Sequence, residues 1–207
     1  FHGIQSFGRE WLVLRFFHQE SGDTDDKNTL QLHFGSMTFE LKTRENFGKL
    51  CELHKKTGLV AEIGVQYGVF SAKIAENYTG KVLCIDLWGD ESIYAEAKKL
   101  LANKEKFKLY RGDSLTIAEF IPDGALDAAY IDGNHYYKEV LADIESWYPK
   151  VRSGGILAFH DYGALDADIF VKDAVDYWCK ENGYEINVTT DDFFEGNPYQ
   201  TCWLIKK

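Results

Sequence analysis

The fold is decided by one short stretch, Ala61-Glu62-Ile63-Gly64-Val65-Gln66-Tyr67-Gly68. It begins in an apolar run, Leu59 to Ile63, and ends in a turn that carries glycine. A segment compatible with a helix follows, Val69 to Asn77, and a second apolar run, Val82 to Ile85, stops at Asp86. This order predicts a strand–turn–helix–strand unit with a carboxylate at the tip of its second strand. Such carboxylates usually bind the ribose hydroxyls of a nucleoside cofactor.

The residues between the two glycines argue against two common nucleotide-binding motifs. A dinucleotide fingerprint has a second glycine two positions after the first, so that the backbone can approach a pyrophosphate. Here that position is Gln66, which disfavours a nicotinamide-dependent oxidoreductase. A P-loop is absent as well, because no Gly-Lys-Ser/Thr follows the turn. The turn therefore suits a nucleoside that carries no phosphate.

At these positions the sequence resembles the class I S-adenosylmethionine-dependent methyltransferases, whose first motif reads acid-x-Gly-x-x-x-Gly. Glu62, Gly64 and Gly68 match that motif position by position. The resemblance implies that these three residues bind S-adenosylmethionine and that Asp86 holds its ribose.

The resemblance also implies a cofactor role for residues further along the chain. In the family, an acid after the third strand often meets the adenine amino group, and Asp113 stands there. Asp113 or Ser114 can equally open the next helix as its N-cap. Trp88 can stack on the adenine or belong to the core or the surface, and Ser71 can reach the methionine carboxylate.

The composition describes a globular chain with an acidic balance. It has 207 residues and a net charge of −10, with 45% hydrophobic and 27% charged residues. Nucleic acid and anionic membranes need clustered Lys and Arg, and no such cluster occurs. No apolar run approaches the roughly 18 residues of a membrane helix. No signal peptide is visible, and the four cysteines form no CxxC pair. We therefore expect a small-molecule acceptor, no nucleic acid or membrane partner, and a cytoplasmic protein with reduced thiols.

From residue 58 onward, apolar runs alternate with helix-length segments, which is the pattern of a parallel sheet wrapped by helices. The expected strands are 59–64, 81–86, 107–111, 125–132, 156–160, 184–188 and 201–206. The expected helices are 69–78, 91–102, 114–120, 135–148 and 166–182. An irregular loop between the last two strands predicts a terminal antiparallel pair. The fold class is therefore α/β, a Rossmann-like doubly wound sheet of seven mostly parallel strands with an antiparallel last strand, as the resemblance also implies.

Residues 1–57 are expected to form an N-terminal extension that precedes the methyltransferase domain, residues 58–207. Alternating residues on both sides of Gly35-Ser36 predict a hairpin over 30–41. Residues 43–57 are a predicted helix that leads into the first strand. The extension is interpreted as a lid or as a contact in a homodimer, and its periodicity favours neither.

Titratable residues follow two strands whose carboxyl ends meet at one edge of the predicted sheet, where ligands bind in open α/β folds. Asp132 and His135 follow the fourth strand, and His160 and Asp161 follow the fifth. We expect Asp132 to bind a cation or orient substrate, and His135 to be a general base because imidazole titrates near neutral pH. The alternative is structural: Asp132 closes a turn, Asn134 caps a helix, and His135 lies on its first exposed turn.

This edge sharpens the resemblance to small-molecule O-methyltransferases of the macrocin and catechol types. These carry Asp-x-x-Lys or Asp-x-x-His after strand four and an acid pair, or acid–Asn, after strand five. The residues after the two strands together hold a magnesium ion. The sequence matches at Asp132, His135 and Asp161 and departs at His160. The implied metal ligands are therefore Asp132, His160 and Asp161. Because magnesium prefers oxygen ligands, His160 leaves open a softer divalent cation or a site without metal.

The resulting hypothesis is methyl transfer from S-adenosylmethionine to a hydroxyl of a small molecule, with His135 and Asp132 as the catalytic pair. Sugars, phenols and natural-product hydroxyls all remain open as acceptors. The alternative is a non-catalytic scaffold protein that binds the cofactor without turnover. Aromatic residues on late loops either cover the pocket or anchor their loops; they are Tyr162, Phe193, Phe194 and Tyr199.

Overall fold

The computed structural model describes residues 41–194 and 197–207, in which strands and helices alternate up to the last helix and four strands follow it. The strands are β1 Leu59–Ile63, β2 Lys81–Asp86, β3 Phe107–Arg111, β4 Leu126–Ile131, β5 Val151–Phe159, β6 Asn187–Val188, β7 Phe193–Phe194, β8 Asn197–Pro198 and β9 Cys202–Ile205. The helices are α1 Phe47–Leu53, α2 Val69–Asn77, α3 Glu91–Leu100, α4 Ser114–Ala118, α5 Tyr137–Trp147 and α6 Val171–Asn182, and a 3-10 turn, Arg44–Asn46, precedes α1.

Seven of these strands form one sheet in the order β3-β2-β1-β4-β5-β9-β6. The strands from β3 to β5 are parallel, and β9 is antiparallel to both of its neighbours. The predicted fold class is thereby confirmed. Strand order reverses between β1 and β4, because β2 lies on one side of β1 and β5 on the far side of β4. A crevice at such a reversal, beyond the carboxyl ends of the strands, is where ligands bind in open α/β sheets.

The centre of the sheet is buried as an apolar wall. Every residue of β4 is buried, and α5 packs Val140, Ile144 and Trp147 into the same core. Each such side chain contributes roughly 1.5–3 kcal/mol to folding. The strand tips on both sides of the reversal are therefore set on a rigid support.

The predicted helix over 43–57 is shorter in the structure. It consists of the 3-10 turn and α1, and ends at Leu53. It stops because the backbone N–H groups of residues 56–58 donate to the buried Asp127 carboxylate instead of to helical carbonyls. Residues 41–57 pack on the sheet, with the Phe47 ring 4.9 Å from Tyr130. Residues 30–40 of the predicted hairpin lie outside the described residues, and the role of the extension stays a prediction.

Strand β5 begins at Val151, before the expected start at residue 156, and it includes Gly154 and Gly155. Gly154 has a positive φ of 73°, and a Cβ on Gly155 would lie 2.7 Å from the carbonyl oxygen of Asp127. The register also shifts between Leu126 and Ala128. The glycines therefore mark a strand irregularity, which needs the same backbone freedom as a turn.

Three smaller findings complete the fold. Within the expected irregular loop between the last two strands, Asn197–Pro198 pairs as β8 with β7. All four cysteines are buried and free, as expected. Within the described part of the chain, no helix has the length and apolar character needed to cross a membrane.

Candidate functional site

The turn after β1 has a backbone that requires its two glycines. Gly64 has φ +90°, and a Cβ there would lie 1.9 Å from the carbonyl oxygen of Asp132. Gly68 has φ +83°, and a Cβ there would lie 2.7 Å from Leu101. These φ values are sterically unfavourable for residues other than glycine. Gly64 thus lets the tips of β1 and β4 approach closely at the crevice, and Gly68 lets the turn pack against Leu101.

Asp86, at the end of β2, is held in place by that turn. Its Oδ2 accepts a hydrogen bond from the Gln66 backbone N at 2.8 Å, and its Oδ1 accepts one from the Trp88 backbone N at 2.6 Å. The side chain remains partly exposed and lines the crevice. Because a carboxylate offers about four acceptor positions, Asp86 retains the capacity to bind a pair of hydroxyl groups.

Trp88 and Ser71 do not lie where a direct cofactor contact was expected. The Trp88 indole is buried beneath the turn, where its Nε1 donates to the Gln66 carbonyl at 2.7 Å. The neighbouring Leu87, 68% exposed, lines the crevice in its place. Ser71 faces the core from α2 and is fully buried, with its hydroxyl donating to Glu62. Both residues therefore support the turn from below.

Glu62 forms the buried floor of the crevice. Burial raises the pKa of its carboxyl to about 8, and Ser71 offsets part of this shift by donating to the carboxylate. At neutral pH, Glu62 therefore retains its proton for most of the time and adds little negative charge to the site.

Asp113 and Ser114 lie at the opposite end of the crevice from β5. Asp113 is the N-cap of α4 and accepts from the Thr116 N at 2.9 Å, which is the capping role that the sequence left open. Ser114 donates to Oδ1 of Asp143 at 2.6 Å. All three acidic and hydroxyl side chains, Asp113, Ser114 and Asp143, line the crevice.

Asp143 is a residue that the sequence reasoning missed. It lies on the inward face of α5, and its burial raises the pKa of the carboxyl to about 6. The sequence does carry a signal for it. Asp143 is an acid on the helix face that the apolar pattern assigns to the core, together with Val140, Ile144 and Trp147.

The four residues expected at the acceptor side meet at the tips of β4 and β5. His160 Nδ1 lies 2.8 Å from Asp161 Oδ1 and 3.2 Å from Asp132 Oδ1. His135 Nε2 lies 3.0 Å from Asp161 Oδ2, an ion-pair distance without the angle of a good hydrogen bond. We call these four residues, Asp132, His135, His160 and Asp161, the acidic edge.

His135 and Asp161 perturb each other electrostatically. The contact with Asp161 raises the pKa of His135 above its ordinary value of 6.5, while partial burial opposes that shift. Burial raises the pKa of Asp161, but its contacts with His135 and His160 outweigh burial and hold that pKa well below its usual range. Asp161 is therefore a stable anion next to an imidazole that faces the crevice.

Arg44 is the second residue that sequence reasoning missed. Its Nη2 donates to Asp132 Oδ2 at 3.1 Å, and its Nη1 lies 2.6 Å from His160 Nε2. The guanidinium stacks over the Phe70 ring, 4.1 Å from its centroid. Arg44 precedes Asp132 by 88 positions. No local motif signals such a pairing, because only the fold brings the two residues together.

Arg44 and the two aspartates act on the protonation of His160 in opposite directions. Arginine can only donate, so Nε2 must accept and the ring proton must lie on Nδ1, toward the two aspartates. Burial and Arg44 lower the pKa of His160, but Asp132 and Asp161 outweigh them and raise it to about 9. Protonation would nevertheless place two donors 2.6 Å apart. The docked guanidinium therefore favours the neutral ring, whereas the two carboxylates favour the protonated one.

The crevice has a volume of about 1580 Å³ and extends from Asp113 to the acidic edge and Tyr199. Pockets for one drug-sized ligand typically measure ~300–1,000 Å³. The crevice therefore has room for two ligands side by side, one against the glycine turn and Asp86 and one against the acidic edge.

The acidic edge does not fit a resident divalent ion in this arrangement. Donor atoms of Asp132, His135 and Asp161 lie within 4.8 Å of one another. This grouping differs from the expected one, because it contains His135 in place of His160. The Arg44 guanidinium, however, already binds Asp132, and an ion there would face its permanent positive charge.

Comparisons with known proteins agree with this geometry. Residues 61–162 match a family model described as a methyltransferase domain. The uncharacterized protein y4gI of Sinorhizobium fredii is 30% identical over 117 residues, which is 49% of this chain and 13% of that protein. An uncharacterized protein of Acanthamoeba polyphaga mimivirus is 35% identical over 63 residues, 30% of this chain and 28% of that protein. The chain thus spans only a small part of both curated relatives.

Solved structures share the fold at low sequence identity. The O-methyltransferase TomG of Streptomyces achromogenes, in complex with S-adenosylmethionine, matches with a TM-score of 0.62 and 16% identity over 79% of both chains. An O-methyltransferase of Bacillus cereus with S-adenosylhomocysteine matches with a TM-score of 0.58 and 15% identity, over 78% of this chain and 81% of that one. An rRNA methylase of Streptococcus thermophilus matches with a TM-score of 0.58 and 18% identity, over 78% of this chain and 93% of that one. The predicted resemblance to class I S-adenosylmethionine-dependent methyltransferases is confirmed by the family model and by the shared fold.

Proposed function

We propose that this protein transfers a methyl group from S-adenosylmethionine to a hydroxyl of a small molecule. The observation that carries the proposal is the shared crevice: Asp86, fixed by the glycine turn, and His135, on the acidic edge, line the same cavity. One end thus suits a nucleoside diol, and the other suits proton removal.

The cofactor fits the side of the crevice that carries the glycine turn. Asp86 would take the ribose hydroxyls, and the close approach at Gly64 leaves the turn backbone open to the ligand. Asp113, Ser114 and Asp143 would surround the adenine, with Leu87 as an apolar contact. When bound, S-adenosylmethionine supplies an electrophilic methyl group on a sulfonium.

His135 would act on the acceptor at the other end. Its neutral imidazole accepts the hydroxyl proton as the oxygen attacks, and Asp161 stabilises the resulting imidazolium. The protein otherwise holds nucleophile and methyl group in line and keeps water away. No metal ion enters this scheme.

A small acceptor is favoured over RNA, although an rRNA methylase shares the fold. Phosphate binding requires clustered basic residues, whereas the chain has a net charge of −10 and its acceptor side carries the acidic edge with Asp191 and Asp192. A cytoplasmic location and a homodimer remain predictions from the sequence.

Incubation with radiolabelled S-adenosylmethionine and a panel of sugars, phenols and polyketide alcohols tests the proposal. Label should pass to at least one hydroxylated acceptor and be lost with His135→Ala. Transfer only to RNA would contradict the small-molecule acceptor. Cofactor binding without transfer to any acceptor would instead favour the non-catalytic scaffold.

A further inference from the structure

Arg44 is fixed at both its backbone and its side chain. Its backbone N donates to both carboxylate oxygens of Asp192, at 3.0 and 2.9 Å. Two residues earlier, the Lys42 carbonyl accepts from the backbone N of Thr190 and of Asp191. The segment that positions the guanidinium at the acidic edge is thus hydrogen-bonded to the loop that follows β6.

The oxygens of the two aspartates at the acidic edge are each matched to a nitrogen. The Oδ1 atoms of Asp132 and Asp161 both face His160 Nδ1, at 3.2 and 2.8 Å. The Oδ2 of Asp132 faces Arg44, and the Oδ2 of Asp161 faces His135. Buried carboxylates require such partners, and here side chains of the protein provide them.

The charge of Arg44 persists in this setting. Burial lowers the pKa of the guanidinium, but neighbouring groups, Tyr130 and Asp132 first among them, outweigh burial and raise it above its ordinary value. Stacking on Phe70 adds a cation–π contact. A weakly hydrated, planar cation such as guanidinium suits a partly buried position better than an ammonium does.

We infer that Arg44 is the built-in cation of the acidic edge: it binds Asp132 Oδ2, an oxygen that a divalent ion at this edge would need as a ligand. Asp132 is then neutralised without a metal, while the imidazoles of His135 and His160 face Asp161, and a divalent ion competes with the docked guanidinium. This inference concerns the protein without cofactor, so it is tested independently of methyl transfer.

Calorimetric titration with Mn²⁺, without cofactor, tests the inference on wild type and on Arg44→Gln. We expect no saturable binding at millimolar Mn²⁺ in the wild type and at least about tenfold tighter, one-site binding in Arg44→Gln, because removing a guanidinium contact frees a carboxylate. Adding Asp161→Asn to Arg44→Gln should abolish that binding. Lys73→Gln is the matched control: it removes a positive charge from the same crevice wall, where Lys73 pairs with Glu45 and Glu76, and should leave Mn²⁺ binding as in wild type.

A second variant covers the case in which Arg44→Gln does not fold. Asp192→Ala releases the backbone anchor of Arg44 and leaves the guanidinium itself in the chain. It should bind Mn²⁺ more tightly than wild type but less tightly than Arg44→Gln. Equal Mn²⁺ affinity in wild type and in the Arg44 or Asp192 variants, whether measurable or absent in all of them, would overturn the inference.

Discussion

Strand β4 carries an aspartate near each end, and the two have opposite environments. Asp127, near its start, is fully buried and accepts hydrogen bonds from five donors. These donors are the backbone N of Lys56, Thr57 and Gly58, the Tyr78 hydroxyl and Arg152 Nε. Asp132, just past its end, is partly exposed to the crevice and shares its carboxylate with Arg44 and His160.

The difference separates a structural carboxylate from one that we propose to act in the site. Asp127 does not line the crevice, and it ties together the segment before β1, the end of α2 and the start of β5. Asp132 lies where strand order reverses, beside titratable groups that a ligand can reach. Burial with complete hydrogen bonding indicates stability, and partial exposure within a charged cluster indicates chemistry.

Removing the structural carboxylate should produce the largest loss of stability. Asp127→Ala leaves buried donors and the Arg152 charge without a partner, and we expect it to lower the free energy of unfolding by about 3–5 kcal/mol. Urea denaturation measures this. The control is Asp123→Ala, whose 73% exposed side chain pairs with Lys150 and should contribute less than about 1 kcal/mol. Similar losses for both would remove the contrast between buried and surface carboxylates.

The same carboxylate predicts a dependence of stability on pH. Burial raises the pKa of Asp127, but its hydrogen bonds outweigh burial and lower it to about 2. Because the folded pKa lies below the unfolded one, near 3.9, the stabilisation is complete above about pH 4 and is lost as pH falls toward 2. Denaturation curves between these values should show a loss in wild type that Asp127→Asn lacks.

Removing the functional imidazole should leave stability intact and reduce turnover. His135→Ala is expected to lower turnover by about 10²–10⁴-fold, the usual contribution of a general base, with nearly unchanged affinity for S-adenosylhomocysteine. His54→Ala, at the opposite end of the sheet beside the Gly154 carbonyl, serves as the control. Turnover that survives His135→Ala would exclude its role as base.

Asp86→Ala should weaken binding of the cofactor. Hydrogen bonding from the ribose to a charged group is lost, and we expect affinity for S-adenosylhomocysteine to fall about 10–100-fold, from ~1.5–3 kcal/mol for one such bond. Asp90→Ala, which removes the exposed N-cap of α3, should leave that affinity unchanged. Equal affinities in wild type and Asp86→Ala would remove the ribose assignment.

The smallest effect concerns the pH profile of turnover. A general base must be neutral, and Asp161 raises the pKa of His135 above 6.5. Turnover should therefore rise with pH through a midpoint above 6.5, and Asp161→Asn should move that midpoint downward. A midpoint unaffected by Asp161→Asn would mean that another group titrates.

The sequence predicts local features of the site better than distant pairings. The glycine turn, Asp86 and the strand-tip residues follow from motifs of a few residues, and the structure places them on one crevice. Trp88 and Ser71 do not line the crevice as expected, because the sequence does not reveal which face of a turn or helix is buried. Arg44 could not be found, since its partners lie far along the chain and only the packing of residues 41–57 brings it there.

The proposed methyl transfer depends on S-adenosylmethionine binding at the carboxyl ends of these strands. Calorimetric titration of wild type and Asp86→Ala with S-adenosylhomocysteine, with NADH as the comparison ligand, measures this binding. We expect micromolar, one-site binding of S-adenosylhomocysteine to wild type, much weaker binding to Asp86→Ala, and none of NADH. Absence of S-adenosylhomocysteine binding to the folded wild type would contradict it, and tighter binding of NADH would assign the crevice to another cofactor.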